Sequence, residues 1–293
     1  MMLPKDLIKA VKHLEIIARR AVNDQLAGQY HSVFKGRGMD FVDVREYQPG
    51  DDIRVIDWNV SARTDTLHIK QFVEERELTV FLLVDVSGSQ LFGSQSKRKQ
   101  ACAAELAALI AFSAIKNNDR VGLIMFSDHV ETFLPPKKGR KHVLRVISEI
   151  LQGKSSSRGT NIEEALKLLG RIMRKKALVF LISDFQDDGF ETRLAIVSRR
   201  HEVIPIMVVD PLEEELPNMG LVHIENPETG QLLTVDTSSA KIRKAFAERA
   251  VRNREAREKA FRRRKIDHVL VRTEDDYIAA LIHYFRARAR RSK

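Results

Sequence analysis

A single cysteine, Cys102, stands among the 293 residues, so the chain has neither a disulfide framework nor a thiolate metal cluster. It lies in Ala101-Cys102-Ala103-Ala104-Glu105-Leu106, a stretch that reads as helix, where a small buried hydrophobe is the expected role. Long apolar runs are missing too. None approaches the roughly 18 residues that a bilayer span needs, and the longest, Leu106 to Ile115, is broken by Ser113. The opening Met1-Met2-Leu3-Pro4-Lys5-Asp6 has no apolar core or small-residue cleavage site, which argues against a secretory signal. A cytoplasmic protein is expected. No His-Glu-x-x-His occurs and the nine histidines are scattered, which argues against a zinc hydrolase.

Charge is present but uneven. The net charge is +10, yet residues 241–265 alone hold twelve Lys or Arg against three Glu. With the rest of the C-terminal stretch that region reaches +11, so everything before residue 241 sums to −1. Such asymmetry suits nucleic acid, an anionic surface or an acidic protein, and equally a solvated helix face.

Apolar spacing predicts a helix over 4–27, with Leu7, Ile8, Val11, Leu14, Ile17, Ala18, Ala21 and Val22 on one side and Gly28 as its stop. Residues 29–77 instead carry short β-type runs at 41–44 and 67–72 around Pro49-Gly50-Asp51-Asp52, which reads as a helix entry with Ile53, Ile56 and Val60 facing inward. From residue 78 strands and helices alternate. Leu78 to Val84 is a continuous apolar run ending in Asp85, Ala177 to Ile182 a second ending at Ser183-Asp184, and Val203 to Val209 a third ending in Asp210. Helices are expected near 97–116, 140–151, 162–174 and 190–199, with strands at 121–126 and near 130–134. A hairpin over 221–235 turning at Glu228-Thr229-Gly230, a basic helix over 238–265, a strand at 267–271 and a helix at 275–290 complete the pattern. This predicts an α/β fold with a doubly wound, mostly parallel sheet, an N-terminal helix and a small β-rich accessory region. The division expected is 1–77 for the helix and accessory region and 78–293 for the α/β domain with its basic C-terminal helices.

Ligands of open α/β sheets sit beyond the carboxyl ends of the strands. There the sequence offers Asp85-Val86-Ser87-Gly88-Ser89, Ser183-Asp184 and the loop Arg158-Gly159-Thr160-Asn161. All of these donors are oxygens, the set preferred by hard divalent cations, Mg²⁺ (or Mn²⁺) above all. Alternate residues beyond a strand end point the same way, so Asp85, Ser87 and Ser89 can converge on one ion, with Gly88 allowing a sharp turn between the serines.

This combination resembles the metal-ion-dependent adhesion site (MIDAS) of von Willebrand A domains. The resemblance implies a metal held by Asp85, Ser87, Ser89, Thr160 and Asp184, the three hydroxyls directly and the two carboxylates directly or through water. It also implies that a partner protein's carboxylate completes the coordination. A second pattern is independent of the first: Gly36-Arg37-Gly38-Met39-Asp40-Phe41, Arg45-Glu46-Tyr47, Pro49-Gly50-Asp51-Asp52-Ile53-Arg54, Ile56-Asp57-Trp58, Ala62-Arg63 and Lys70-x-Phe72-x-Glu74-Glu75. It is similar to the signature of a bacterial family termed domain of unknown function fifty-eight, whose members resemble von Willebrand A proteins encoded beside MoxR-type AAA+ ATPases. The alternating charges of 36–63 are expected to form an ion-pair network anchoring the accessory lobe to the sheet edge; a partner-docking surface is the sharper reading.

A near-match to a phosphate-binding loop at 148–155 has Ser148 in place of the first glycine and a helix where a strand is required, so any ATPase must come from a partner. No base stands beside Ser87 or Ser89, and two carboxylates with three hydroxyls supply no general base. The expected function is therefore non-catalytic: a metal-dependent adapter that grips an Asp or Glu of a client or of a MoxR-type ATPase. The alternatives are nucleic-acid or anionic-surface binding through the basic C-terminal helices, and a metal-dependent hydrolase.

Overall fold

The three apolar runs become neighbouring strands of one sheet. The computed structural model describes residues 4–291 apart from 23–25, 35–38, 75–76, 94–97, 154, 156 and 226–229. In chain order the first elements are helices α1 (Pro4–Ala21) and α2 (Ala27–Phe34), strand β1 (Met39–Glu46), helix α3 (Trp58–Thr64) and strand β2 (His68–Glu74). The α/β body follows with β3 (Thr79–Asp85), α4 (Lys99–Lys116), β4 (Arg120–Phe126), β5 (Val130–Lys137) and α5 (Arg140–Gln152). Next come α6 (Ile162–Ile172), β6 (Leu178–Ser183), α7 (Glu191–Ser198), β7 (Glu202–Val209) and the four-residue α8 (Pro211–Glu214). A hairpin of β8 (Leu221–Glu225) and β9 (Leu232–Asp236), helix α9 (Ala240–Arg263), strand β10 (Val269–Arg272) and helix α10 (Tyr277–Arg291) end the fold.

The main sheet has the order β10-β7-β6-β3-β4-β5. All neighbouring pairs are parallel except β4 with the edge strand β5. It is the doubly wound, mostly parallel sheet that the alternation of strands and helices predicts. The chain leaves β3 toward β4 on one side and later returns to lay β6 on the other, so β3 and β6 flank the topological switch point. Side chains alternate accordingly. Val80, Leu82 and Val84 of β3 pack with α1, α2, α4, α5 and α10, while Phe81 and Leu83 pack with α6, α7 and the end of α9.

The helical stripe predicted over 4–27 continues beyond its expected stop, its described residues lying in α1 and α2. Gly28, expected as its stop, lies inside α2, and Leu14, Ala18, Val22, Leu26 and Tyr30 recur every four residues to bury one stripe against the sheet-covering helices. Ile8 departs from the predicted face and is 54% exposed.

The accessory lobe is the antiparallel β1–β2 pair with α3 above it, Asp57 capping α3 by accepting from the backbone N–H of Asn59 and Val60. Arg45 holds Asp51 through two bonds of 2.7 Å, and Arg54 holds Asp52 at 2.8 Å. These pairs close within the lobe; the other charges of the expected network include Arg37 and the Asp40 side chain, outside the described residues. Arg37 and Glu75 of the signature, and the turn residues Glu228 and Thr229, lie outside the described residues. Ile53 was expected inward but is 68% exposed, because the segment opens as a single 3₁₀ turn; Ile56 is buried and Val60 half-buried as expected, and Trp58 at the start of α3 is 67% exposed. Among the described residues no helix is long and apolar enough to cross a membrane.

Candidate metal centre

β3 ends in Asp85 and β6 in Ser183, adjacent strands whose carboxyl ends open at the switch point. Beyond Asp85 the chain turns into a short 3₁₀ segment, Gly88–Leu91, which carries Ser89 one turn above the strand end. Asp85 is fixed from both sides: Oδ1 accepts from the Ser87 backbone N–H at 2.9 Å and Oδ2 from the Ser183 hydroxyl at 2.6 Å. The hydroxyls of Ser87 and Ser89 stand 3.1 Å apart. Ser89 also hydrogen-bonds the Asp184 carboxylate, whose Oδ1 accepts from the Gln186 backbone N–H at 3.1 Å. Asp85, Ser87, Ser89 and Asp184 therefore form one continuous hydrogen-bonded cluster, each 2% exposed or less.

Thr160 reaches the same rim by another route. The Gly88 N–H donates to the Arg158 carbonyl at 3.1 Å, and the Asn161 N–H to the Ser127 carbonyl at 2.6 Å, which pins the loop on either side of Thr160. Asn161 then caps α6 through Glu164 N–H. The five residues singled out in the sequence thus lie on two adjoining loops and two adjacent strand ends.

Two groups that sequence reasoning missed complete the electrostatics. Lys99, the first residue of α4, has no exposed surface, and its ammonium donates to Asp184 Oδ2 at 2.7 Å and to Glu213 Oε1 of α8 at 2.6 Å. Burial acts to lower its pKa, but the two carboxylates outweigh it and raise the pKa, so the ammonium stays charged. Burial likewise acts to raise Asp184, yet Lys99 and the Ser89 bond hold it below the usual carboxylate range. Among the described residues Asp85 has no such cation. Burial first, then the charge of Asp184, push its carboxyl up to about 7 against the opposing bonds from Ser183 and Ser87. Ser183 could be suspected from its place at a strand end; Lys99 gives no sign, because a lysine at a helix start reads as surface charge.

Among the described residues no three His, Cys, Asp or Glu side chains gather as a metal-binding group. Borderline N/S-seeking metals therefore find no ligands here, whereas a hard cation finds hydroxyl and carboxylate oxygens only. A destabilised, buried Asp85 carboxylate beside a second carboxylate and a pair of hydroxyls fits a divalent ion, which would supply the positive charge that Asp85 lacks.

Topology and rim define a doubly wound α/β protein with an oxygen-lined site at its switch point. The chain belongs to the family described as protein of unknown function DUF58, whose model matches residues 43–256. It is 31% identical to an uncharacterized protein of Mycobacterium bovis over 97% of this chain and 90% of that one. Similarity to uncharacterized protein YeaD of Bacillus subtilis is also 31%, over 36% of this chain and 25% of that protein. Solved structures with a related course are BatB from Bacteroides thetaiotaomicron (18% identity, 73% of this chain and 99% of that chain, TM-score 0.47). The SpRpn10 VWA domain is another, at 10% identity over 70% of this chain and 93% of that chain, with TM-score 0.41.

Proposed function

We propose that this rim binds Mg²⁺ (or Mn²⁺) through Ser87, Ser89 and Thr160 with Asp85 and Asp184, and that the protein is an adapter rather than an enzyme. The bound ion supplies a Lewis-acidic position for a carboxylate of a partner. The chain's own part is to hold two carboxylates and three hydroxyls at one strand-end rim and to shield them from solvent. One observation carries the reading: four of the five residues already form a single buried cluster in which, among the described residues, one cation, Lys99, serves Asp184 and none serves Asp85. The resemblance to proteins encoded beside MoxR-type AAA+ ATPases supports such an ATPase as the partner in this reading, and the accessory lobe, with Trp58 and Ile53 exposed, offers it a second contact.

The test is a pull-down on the tagged full chain against the MoxR-type ATPase, with Mg²⁺ and with EDTA. Retention should fall at least about tenfold in EDTA and equally with Asp85→Ala, a loss of about 1.4 kcal/mol or more. Retention that neither treatment alters removes the metal from the proposal. Phosphatase and nuclease assays with either ion are expected to be blank.

A second reading rests on α9, a 24-residue helix of which Phe261 is the one buried member. Its cations suit a polyanion. If DNA is its target, binding must weaken steeply between about 50 and 200 mM salt and disappear when Arg249, Arg252 and Arg257 are changed to Glu.

A further inference from the structure

Lys99 lies beside the metal rim with its side chain wholly out of water, and two carboxylates share its ammonium. Nζ stands 2.7 Å from Asp184 Oδ2 and 2.6 Å from Glu213 Oε1. An ammonium without access to solvent cannot turn outward when another cation approaches Asp184. The seat left to it is the carboxylate of Glu213, on the four-residue helix α8.

Three donors fix that carboxylate. Lys99 and the Gln186 amide donate to Oε1 at 2.6 and 2.9 Å, and the Asp210 backbone N–H donates to Oε2 at 3.0 Å. Asp210 caps α8, its Oδ1 accepting from the Leu212 N–H at 3.0 Å, while its Oδ2 accepts from the Thr273 hydroxyl at 3.1 Å. The ends of β7 and β10 thereby set where α8 lies, and α8 sets where Glu213 points. The next residue, Glu214, is taken up elsewhere, by Arg254 of α9 and by Arg272 of β10, the latter at 2.6 Å. Of these two neighbouring glutamates, Glu213 is the one that meets the buried ammonium.

We propose that Glu213 is a positioning residue for the metal rim: it draws the Lys99 ammonium away from Asp184 and so sets how tightly the rim holds its divalent ion. This role presupposes the ion proposed above. A cation shared between two carboxylates leaves Asp184 only partly neutralised, with negative charge to spare. Without Glu213 the ammonium falls back on Asp184 alone, a like charge that burial prevents from leaving. Glu213 already serves three donors, so its influence on the rim runs through Lys99.

Calorimetric titration of the full chain with MgCl₂ at fixed ionic strength tests this. Glu213→Gln keeps an oxygen for the Asp210 N–H but loses the charge, and should weaken Mg²⁺ binding about tenfold. Lys99→Met should tighten it. In that background Glu213→Gln should change the affinity by less than about threefold, because the intermediary is gone. Glu214→Gln removes an equal charge one residue along and should stay within about twofold of wild type. If Glu213→Gln melts below the titration temperature, Glu213→Asp decides: it keeps the charge, shortens the reach to Lys99 and should weaken Mg²⁺ at least about threefold. Should Lys99→Met fail to fold, the Glu213 and Glu214 variants decide on their own. Glu213 variants within about twofold of wild type, the same weakening with and without Lys99, an equal loss in Glu214→Gln, or weaker binding in Lys99→Met overturns the proposal and leaves the metal site standing. Wild type that takes up no Mg²⁺ overturns the metal site, and this role with it.

Discussion

Lys99 and Asp184 meet 2.7 Å apart with essentially no solvent between them and the bulk, and Glu213 shares the same ammonium. Removing one partner of a buried pair strands the other, at a cost of about 3–5 kcal/mol. Lys99→Met should therefore lower metal-free stability by that amount. It should also tighten Mg²⁺ binding, because a cation competing for Asp184 has gone. Differential scanning fluorimetry checks both together: Mg²⁺ should raise the variant's Tm by more than it raises that of wild type. A variant that loses Mg²⁺ binding instead makes Lys99 a positioning residue for the site. At this scale Asp85, Ser87, Ser89 and Asp184 were legible because each stands where an apolar run stops, and such stops are written locally. Lys99 was not, since its partners lie 85 and 114 residues further along the chain and only the fold brings them near.

Between elements, two fastenings decide how the outer helices sit. Glu15 of α1 accepts from Arg140 of α5 at 2.5 and 2.8 Å. The hydrogen bond from Arg140 lowers its carboxyl's pKa most; burial opposes this, and the charges of Arg140 and Arg19 assist. A carboxyl held below its unfolded value contributes stability that is present above that value and lost as pH falls through the folded one. Glu15→Gln should thus cost about 1 kcal/mol at pH 7, since Arg140 is largely in water. The gap from wild type in urea unfolding should close as pH drops from about 5 toward 3. The second fastening is Phe261, 1% exposed, edge-on to Phe185 at 5.3 Å and tilted on His268 at 5.3 Å. It anchors a helix otherwise tied down by Arg254 on Glu214 and by Arg243 on the Thr237 carbonyl. Phe261→Ala should cost about 3–5 kcal/mol by chemical denaturation and raise hydrogen exchange along α9. Most element types could be read from periodicity, but junctions could not. The period-four stripe from Leu14 to Tyr30 continues from α1 into α2 past Gly28, so a glycine read as a stop was a poor guide to the boundary. Ile53 misled for the opposite reason: three 3₁₀ residues are too few for a helical face to form.

For the whole molecule, the alternation of strands and helices specified a parallel sheet but not its order. That β6 lies beside β3, with β4 on the far side, follows from how crossovers pack, and it is this order that puts Asp184 beside Asp85.

Parallel strands give a sheet two unlike poles, and the oxygen-lined rim sits at the carboxyl one. Because Asp85 and Asp184 stand at the ends of adjacent strands paired in register, the ladder rather than any single loop sets how far apart they stand. A slip in the pairing of β3 with β6 should therefore scatter the rim more than a change in the loops beyond it.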